Sequence, residues 1–324
     1  MASSALRLGT RGSQLALFQA HAVANLLHQH TGRSCEIVVI RTSGDRQAEA
    51  SLAQIGGKRL FVKEIEDALL AGEINLAVHS SKDMPAALPS GLDIAAVLPR
   101  EDARDAIVLA NVSEAIPAET VVTRLGPAPR IGTSSVRRTA QLIRLFPEAR
   151  FLPVRGNLDT RLRKVDGGEL DALVLAAAGL KRLQHTSRIA AHLPLEVCIP
   201  APGQGIIAVE VRSDDADMQS LLTTIDDFPS RVALDAERAV VTRLGGGCQM
   251  PIGAHAVVSD DTIKLSAIVL TLDGSTVIRA SAEGSAAAAQ RVGASAADQL
   301  LAHGAGRILE DVQRAAAAVE GLQP

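Results

Sequence analysis

A single cysteine stands on a run of glycines close to the last quarter of the chain. The segment reads GGGCQMPIG at residues 245–253, directly after a helical pattern over residues 233–244. Because glycines leave the Cys248 thiol without bulky neighbours, we expect it to be accessible, which distinguishes a reactive thiol from an inert one. The alternative is that Cys248 is buried and that Gly245 merely ends the helix.

Three loops place small hydroxylated or cationic residues where an apolar strand ends and a helix begins. They read GTRGS at residues 9–13, GTSSVRR at 132–138 and RGN at 155–157, and the last is followed by Arg161. Helix N-termini offer unpaired N–H groups and a positive dipole end, so such turns suit anions. Ser13, Ser135 and Asn157 could instead be simple helix caps. Capping needs no arginine, however, so the arginines favour a site for a polycarboxylate or a phosphate.

Lys82 and Asp83 follow another apolar run, at residues 76–78. A carboxylate among cations is a poor ligand for an anion, so Asp83 is better suited to holding a cationic or N–H-bearing group or to passing a proton. A plain ion pair with Lys82 is the alternative. His79 could act as a base, although a histidine at the end of a buried strand more often makes structural hydrogen bonds.

The composition narrows the class of protein. The 324 residues include 33 Lys and Arg against 36 Asp and Glu, no Trp, no Tyr and five Phe. A net charge of -3 and few stacking rings argue against a nucleic-acid binder. Cys35, Cys198 and Cys248 show neither metal-ligand spacing nor a disulfide framework. Without a signal-peptide pattern or an apolar run long enough for a bilayer, we expect a soluble, cytoplasmic protein.

The chemistry-bearing loops must be positioned by layered strands and helices. Apolar runs alternate with amphipathic helices through residue 203, which predicts two βα domains. Predicted strands cover residues 6–9, 35–40, 76–78, 130–132, 151–154, 172–176 and 206–211, and predicted helices cover 13–30 and 61–70 and begin at 136 and 158. Residues 99–105 are expected to form a loop, and the strand at 206–211 could return to the first domain. Runs at 253–258, 263–270 and 276–282 predict an antiparallel meander, followed by one long alanine-rich helix.

Taken together, the motifs resemble the porphobilinogen deaminase family, also called hydroxymethylbilane synthase. The matching segments are LRLGTRGS at 6–13, VHSSKDMP at 78–85, GTSSVRR at 132–138, RGN at 155–157, PAPGQG at 200–205 and GGCQMPIG at 246–253. The resemblance implies an α/β fold of two periplasmic-binding-protein-like βα domains plus a smaller α+β domain with a three-stranded antiparallel sheet. The corresponding ranges are 1–100 with 204–224, then 101–203, then 225–324.

The resemblance also implies an activity and a set of site residues. The family joins four porphobilinogen molecules head to tail, releasing ammonia, on a dipyrromethane cofactor thioether-linked to the cysteine that matches Cys248. Asp83 matches the catalytic carboxylate. Positions expected to hold the cofactor are Lys82, Thr133, Ser135, Arg137, Arg138, Arg155 and Gly156. Positions expected to meet the substrate are Arg11, Ser13, Lys58, Ser80, Arg161, Arg182 and Gln204. No metal, nucleic-acid or membrane partner is implied, and a monomer is expected.

Two positions depart from the pattern of the family, and a second class of protein would explain part of the sequence. Gln54 stands where relatives often have lysine, and Arg59 stands where a small residue is common. Both lie in a stretch that we expect to form a mobile lid. A protein that only captures organic anions would also explain the paired βα domains and the arginines. It would not explain the glycine-flanked Cys248, and a covalent dipyrrole adduct would distinguish the two.

Overall fold

The computed structural model describes residues 5–46, 61–112, 114–247 and 250–320, and it contains three β-sheets. The strands are β1 Leu6–Thr10, β2 Cys35–Val39, β3 Leu76–Ser80, β4 Leu92–Val97, β5 Asp105–Val108, β6 Arg130–Gly132, β7 Arg150–Leu152, β8 Ala172–Ala176, β9 Ile189–His192, β10 Ile207–Arg212, β11 Ile252–Ser259, β12 Thr262–Leu270 and β13 Val277–Ser285. The α-helices are α1 Gln14–Thr31, α2 Ser43–Arg46, α3 Lys63–Leu70, α4 Ala118–Leu125, α5 Val136–Leu142, α6 Leu158–Asp166, α7 Ala177–Arg182, α8 Ala216–Leu222, α9 Phe228–Leu244, α10 Ala289–Ala302 and α11 Ala305–Glu320.

The two five-stranded sheets share one plan. Sheet A has the strand order β2-β1-β3-β10-β4 and sheet B has the order β7-β6-β8-β5-β9. In each sheet three neighbouring strands run parallel and the fourth runs antiparallel to both of its neighbours. That fourth strand always arrives from the other sheet, because β5 follows β4 and β10 follows β9. The chain therefore crosses between the sheets twice, at residues 98–104 and 193–206.

The sequence predicted most of these elements and missed three strands and the four short helices α2, α4, α7 and α8. The return of the strand near residue 206 to the first sheet is confirmed, since β10 pairs with β3 and β4. Strands β4, β5 and β9 were not expected, and Asp105 begins β5 instead of ending a loop. β5 and β9 are four residues each, too short to show a period, and only their pairing within sheet B identifies them.

The three-stranded antiparallel sheet C packs against α9, α10 and α11. Helices α9 and α10 approach closely, since a Cβ added to Gly293 would lie 2.1 Å from the carbonyl oxygen of Ala236. Alanine and glycine on these helices thus serve close packing in addition to helix propensity. The single closing helix expected from the sequence is wrong, because His303 and Gly304, the latter at a φ of 96°, separate α10 from α11.

Across the described residues, we find no helix that combines the length and the apolar character needed to cross a membrane.

Candidate functional site

A cavity of about 250 Å³ lies between the loops of sheet A and those of sheet B. Eight of the sequence-predicted site residues line it: Arg11, Ser13, Ser80, Lys82, Arg138, Gly156, Arg161 and Arg182. All lie at or near the carboxyl ends of strands or on the helices that follow, which is where open α/β folds bind ligands. Lys58 and Cys248 lie outside the described residues, and so do Gln54 and Arg59.

On the sheet A side, the first loop presents Arg11 and Ser13. Ser13 is the N-cap of α1, and its Oγ accepts a hydrogen bond from the Ala16 N–H at 3.3 Å. The Arg11 guanidinium pairs with Asp45 at 2.5 Å and lies 4.3 Å from the centre of the Phe61 ring. Burial raises the pKa of Asp45, but its bonds to Arg11 and Thr42 outweigh this and leave the pKa lowered. The Asp45 carboxylate therefore holds the Arg11 cation in place.

Lys82 and Asp83 lie in a 3₁₀ turn immediately after β3. The ammonium group of Lys82 donates to Gln204 Oε1 at 3.3 Å. Burial, reinforced by the charge of Arg138, lowers the pKa of Lys82 to about 8. Asp83 is exposed, and its negative charge favours the protonated forms of both Lys82 and Arg161. Asp83 thus acts on two cations that line the cavity, although it is not part of the lining itself.

On the sheet B side, two helices begin at the cavity. The Ser135 side chain caps α5 by accepting from the Arg138 N–H, and the Thr133 hydroxyl accepts from the Ser135 N–H at 3.3 Å. Asn157 caps α6, as the sequence allowed, and accepts from the Thr160 N–H at 2.9 Å. The same loops therefore contain both helix caps and residues that line the cavity.

Two further arginines stand at the start of α6. The Arg161 Nε donates to the carbonyl of Gly156 at 3.0 Å, and Gly156 has a φ of 93° that favours glycine. Burial lowers the pKa of Arg161, and the nearby Arg138 adds to the effect. Arg155 is half-buried beside them. Positive charges this close to one another repel, and a bound anion would offset that repulsion.

Asp105 is a site residue that the sequence analysis missed. It is fully buried, and its two oxygens face the guanidinium groups of Arg137 at 2.8 Å and Arg138 at 2.7 Å. Burial raises the pKa of Asp105, but the charges of the two arginines outweigh it and hold the pKa far below its ordinary value. In the sequence, the only indication of this role was that Asp105 stands directly before the apolar run at residues 106–108.

Gln204 and Arg182 meet at the second crossing between the sheets. Gln204 is fully buried, and its amide nitrogen donates to Ala103 O and to Asp105 Oδ1. Arg182 donates to the carbonyl of Gly205 at 2.6 Å, and burial lowers its pKa to about 10. Gln204 was expected to meet the substrate, and in the structure it does not line the cavity.

His79 takes the structural role that the sequence favoured. Its Nε2 lies 3.0 Å from Glu210 Oε2, and both side chains are buried between β3 and β10.

Two buried donors test whether these residues fit a carboxylate-bearing cofactor. Among the described residues, the Arg137 Nε and the Ser81 hydroxyl are buried without a hydrogen-bond partner. Gly203 packs over Ser81, and an added Cβ would lie 2.5 Å from the Ser81 Oγ. Buried donors are normally satisfied, so unpaired N–H and O–H groups on the sequence neighbours of the lining residues Lys82 and Arg138 fit an acidic ligand. The dipyrromethane expected here, with its acetates and propionates, has that chemistry.

The fold and the site together define a class: an α/β protein of three sheets whose cleft is lined by cations and suits a polycarboxylate. Comparison with known proteins identifies the family. The model for the "Porphobilinogen deaminase, dipyromethane cofactor binding domain" matches residues 6–220, and that for the "Porphobilinogen deaminase, C-terminal domain" matches residues 232–302. The chain belongs to the porphobilinogen deaminase family.

Curated relatives extend the match over nearly the whole chain. The porphobilinogen deaminase of Syntrophobacter fumaroxidans is 45% identical, and the alignment covers 97% of this chain and 100% of that relative. Those of Syntrophotalea carbinolica and Desulforudis audaxviator are 46% and 47% identical, each over 95% of this chain and 96% and 98% of theirs. The resemblance deduced from the six motifs is confirmed, and with it the transferase activity of tetrapyrrole biosynthesis and the dipyrromethane cofactor.

Solved structures resemble the fold more distantly. R. palustris Rpa4515 with adipate shows 13% identity and a TM-score of 0.45, over 70% of this chain and 83% of that chain. The periplasmic VFT2 domain of Bordetella pertussis BvgS shows 18% identity and a TM-score of 0.39, over 74% and 92%. These likenesses concern the arrangement of strands and helices and carry no argument about function.

Proposed function

We propose that porphobilinogen is polymerised into hydroxymethylbilane in the cavity between sheets A and B, with Asp83 as the catalytic carboxylate. The observation that carries this proposal is the placement of Asp83, exposed at the end of β3, with its charge acting on Lys82 and Arg161. A carboxylate in an otherwise cationic site has little to offer the substrate's acids. It is suited to the part of the substrate that becomes positive.

The chemistry follows from the charges of the substrate. Porphobilinogen carries two carboxylates, and its pyrrole becomes an electron-poor cation as ammonia leaves. The Asp83 carboxylate stabilises that cation and accepts a hydrogen bond from the pyrrole N–H, and both interactions strengthen on the way to the transition state. When bound, the dipyrromethane supplies the pyrrole carbon to which the first new ring is joined.

The cations divide between two tasks. We assign the cofactor to Lys82, Thr133, Ser135, Arg137, Arg138, Arg155 and Gly156, with Cys248 as the covalent attachment. We assign the incoming substrate to Arg11, Ser13, Lys58, Ser80, Arg161 and Arg182, and we assign no substrate contact to Gln204 because it does not line the cavity. The unpaired Arg137 Nε supports the first set, and the cavity lining supports five members of the second. Each added ring brings two carboxylates, so the demand for cations grows with the chain.

The organisation of the chain belongs to the same proposal. We divide it into residues 1–100 with 204–224, residues 101–203 and residues 225–324, and each sheet takes all its strands from one of these ranges. The first two then form the walls of the cleft, and the third contains Cys248. We place the protein in the cytoplasm as a monomer that acts on porphobilinogen without nucleic-acid or membrane partners.

Intact mass and turnover test the proposal together. We expect the purified chain to carry a covalent dipyrrole and, with porphobilinogen, to release ammonia while masses increase in steps of one ring. A chain that binds porphobilinogen without an adduct and without ammonia release would instead be an anion-binding protein.

A further inference from the structure

We propose that Asp105 and Gln204 are positioning residues that hold the cations of the two cleft walls in register, an inference that rests on the proposed function. Neither residue lines the cavity, whereas Lys82 and Arg138, which they contact, both do. Their role is to fix where the substrate and cofactor carboxylates are bound.

Asp105 organises the two neighbouring arginines at the start of α5. Arg138 donates to Asp105 Oδ1 through Nε at 2.9 Å and to Val174 O through Nη1 at 3.0 Å. Arg137 reaches Asp105 Oδ2 at 2.8 Å and Ile199 O at 2.6 Å. Two adjacent buried guanidinium groups would repel each other without a shared carboxylate. With Asp105 present, the three groups keep a net positive charge in one geometry.

Gln204 connects this cluster to the opposite wall. Its Oε1 accepts from Lys82 Nζ at 3.3 Å and lies 3.5 Å from Arg138 Nη2, while its Nε2 donates to Asp105 Oδ1 at 2.9 Å. Lys82 follows a strand of sheet A, whereas Arg138 and Asp105 belong to elements of sheet B. One neutral amide therefore links the cations of both walls at the point where the chain crosses between them.

The linkage has a kinetic consequence that differs from that of Asp83. Cations that hold carboxylates act alike in the bound substrate and in the transition state, so their misplacement weakens binding more than turnover. Losing a hydrogen-bonded charge partner changes affinity by about 10-fold or more. Asp105→Asn keeps the shape of the side chain and removes its charge, and Gln204→Met keeps much of the volume and removes both hydrogen-bonding atoms.

The experiment compares these two variants with Asp171→Asn. Asp171 pairs with Arg130 at 2.7 Å, but both side chains are well exposed and neither lines the cavity, which makes it a matched control for removing an arginine partner. Each protein is measured for dipyrromethane content by intact mass, for Tm, and for kcat and KM with porphobilinogen. A wild-type chain with no adduct would refute the proposed function itself; the positioning role is judged against a wild type that has one.

We expect Asp105→Asn to lower dipyrromethane content or raise KM by about 10-fold or more, with kcat changing less. Gln204→Met should raise KM by a smaller factor, and Asp171→Asn should leave content and KM unchanged. Normal content with an unchanged KM in a folded Asp105→Asn overturns the proposal, as does a change no larger than that of Asp171→Asn. If Asp105→Asn does not fold, Gln204→Met decides: an unchanged KM overturns the proposal, and a raised KM at an unchanged Tm supports it.

Discussion

The buried carboxylate of Glu237 on α9 forms an ion pair with Arg100 at 2.6 Å. Glu237 also accepts hydrogen bonds from the backbone N–H of Gly203 at 2.6 Å and of Ala256 at 2.7 Å. Arg100 lies in the first crossing between sheets A and B, Gly203 in the second, and Ala256 in β11 of sheet C. The Glu237 side chain therefore connects both crossings to sheet C, which follows Cys248 in the sequence.

Removing the charge of Glu237 should lower the stability of the folded protein. Glu237→Gln leaves the partly buried Arg100 without its ion-pair partner and removes a fully buried charge, and breaking a buried pair in this way typically lowers the free energy of unfolding by about 3–5 kcal/mol. Denaturant unfolding measures the loss. Asp298→Asn is the control, because the pair of Asp298 with Arg243 on the same helix α9 is more than half exposed and should contribute about 0–1 kcal/mol. Similar losses in the two variants would contradict the structural importance of Glu237.

Asp83→Asn should reduce turnover far more than substrate binding. The amide keeps the size and much of the hydrogen bonding but not the charge that stabilises the developing cation, and such groups commonly contribute ~10²–10³ in rate. Asp83→Glu retains the charge one methylene further out and should keep part of the activity. Measuring kcat, KM and Tm on both variants, with cofactor content confirmed by mass, checks this. Near-normal kcat in the Asn variant would remove Asp83 from the mechanism.

Cys248→Ser should abolish the normal cofactor linkage, because a hydroxyl is a far weaker nucleophile than a thiolate. Intact mass should show an unmodified chain. Cys35→Ser is the control, since Cys35 is half-buried on β2. Cys198 is fully buried, and burial raises the pKa of its thiol to about 12, which makes it unreactive. An adduct mapped to the Cys35 or Cys198 peptide would refute the assignment.

Assembly of the cofactor by apo-protein should slow as the pH rises through about 8. Burial lowers the pKa of Lys82 to about 8, so Lys82 is cationic below that pH and becomes neutral above it, when its attraction for carboxylates is lost. Time courses of adduct formation by intact mass at pH 7 and pH 9 measure the effect. Lys82→Arg keeps its charge throughout this range and should lose this part of the pH dependence. An equal decline in the Arg variant would assign the effect to another group.

The arginines should divide by stage of the reaction. Arg155→Ala should stall at apo-protein or incomplete cofactor, because Arg155 belongs to the set assigned to the dipyrromethane. Arg182→Ala should load the cofactor and accumulate partly elongated enzyme, since each ring adds two negative charges. Native mass spectra after addition of porphobilinogen show the stalled species. Arg130→Ala, which removes an exposed pair with Asp171, is the control. The division by stage is contradicted if Arg155→Ala and Arg182→Ala stall at the same species.

The residue types and spacings of the sequence were enough for the family, the chemistry and most elements. Long amphipathic helices such as α1 and apolar strands such as β8 carry their own period, and loops such as GTSSVRR place hydroxyls and arginines at a helix start. Cavity lining by Arg138 and Arg161 followed from that local pattern, because the carboxyl ends of neighbouring strands lie together.

Only the tertiary structure showed which charges are held by protein partners. Asp105 and Gln204 are distant from Lys82 and Arg138 in sequence, and β5 is too short to show a period, so no local pattern could place Asp105 between two arginines. The two crossings between sheets A and B bring these segments together. The charges of Arg137 and Arg138 then keep Asp105 ionised despite its burial, whereas burial makes Lys82 lose its proton readily. Burial and pairing depend on contacts between distant parts of the chain, which is why the sequence indicated candidate site residues but not Asp105 or the partners that hold the cations in place.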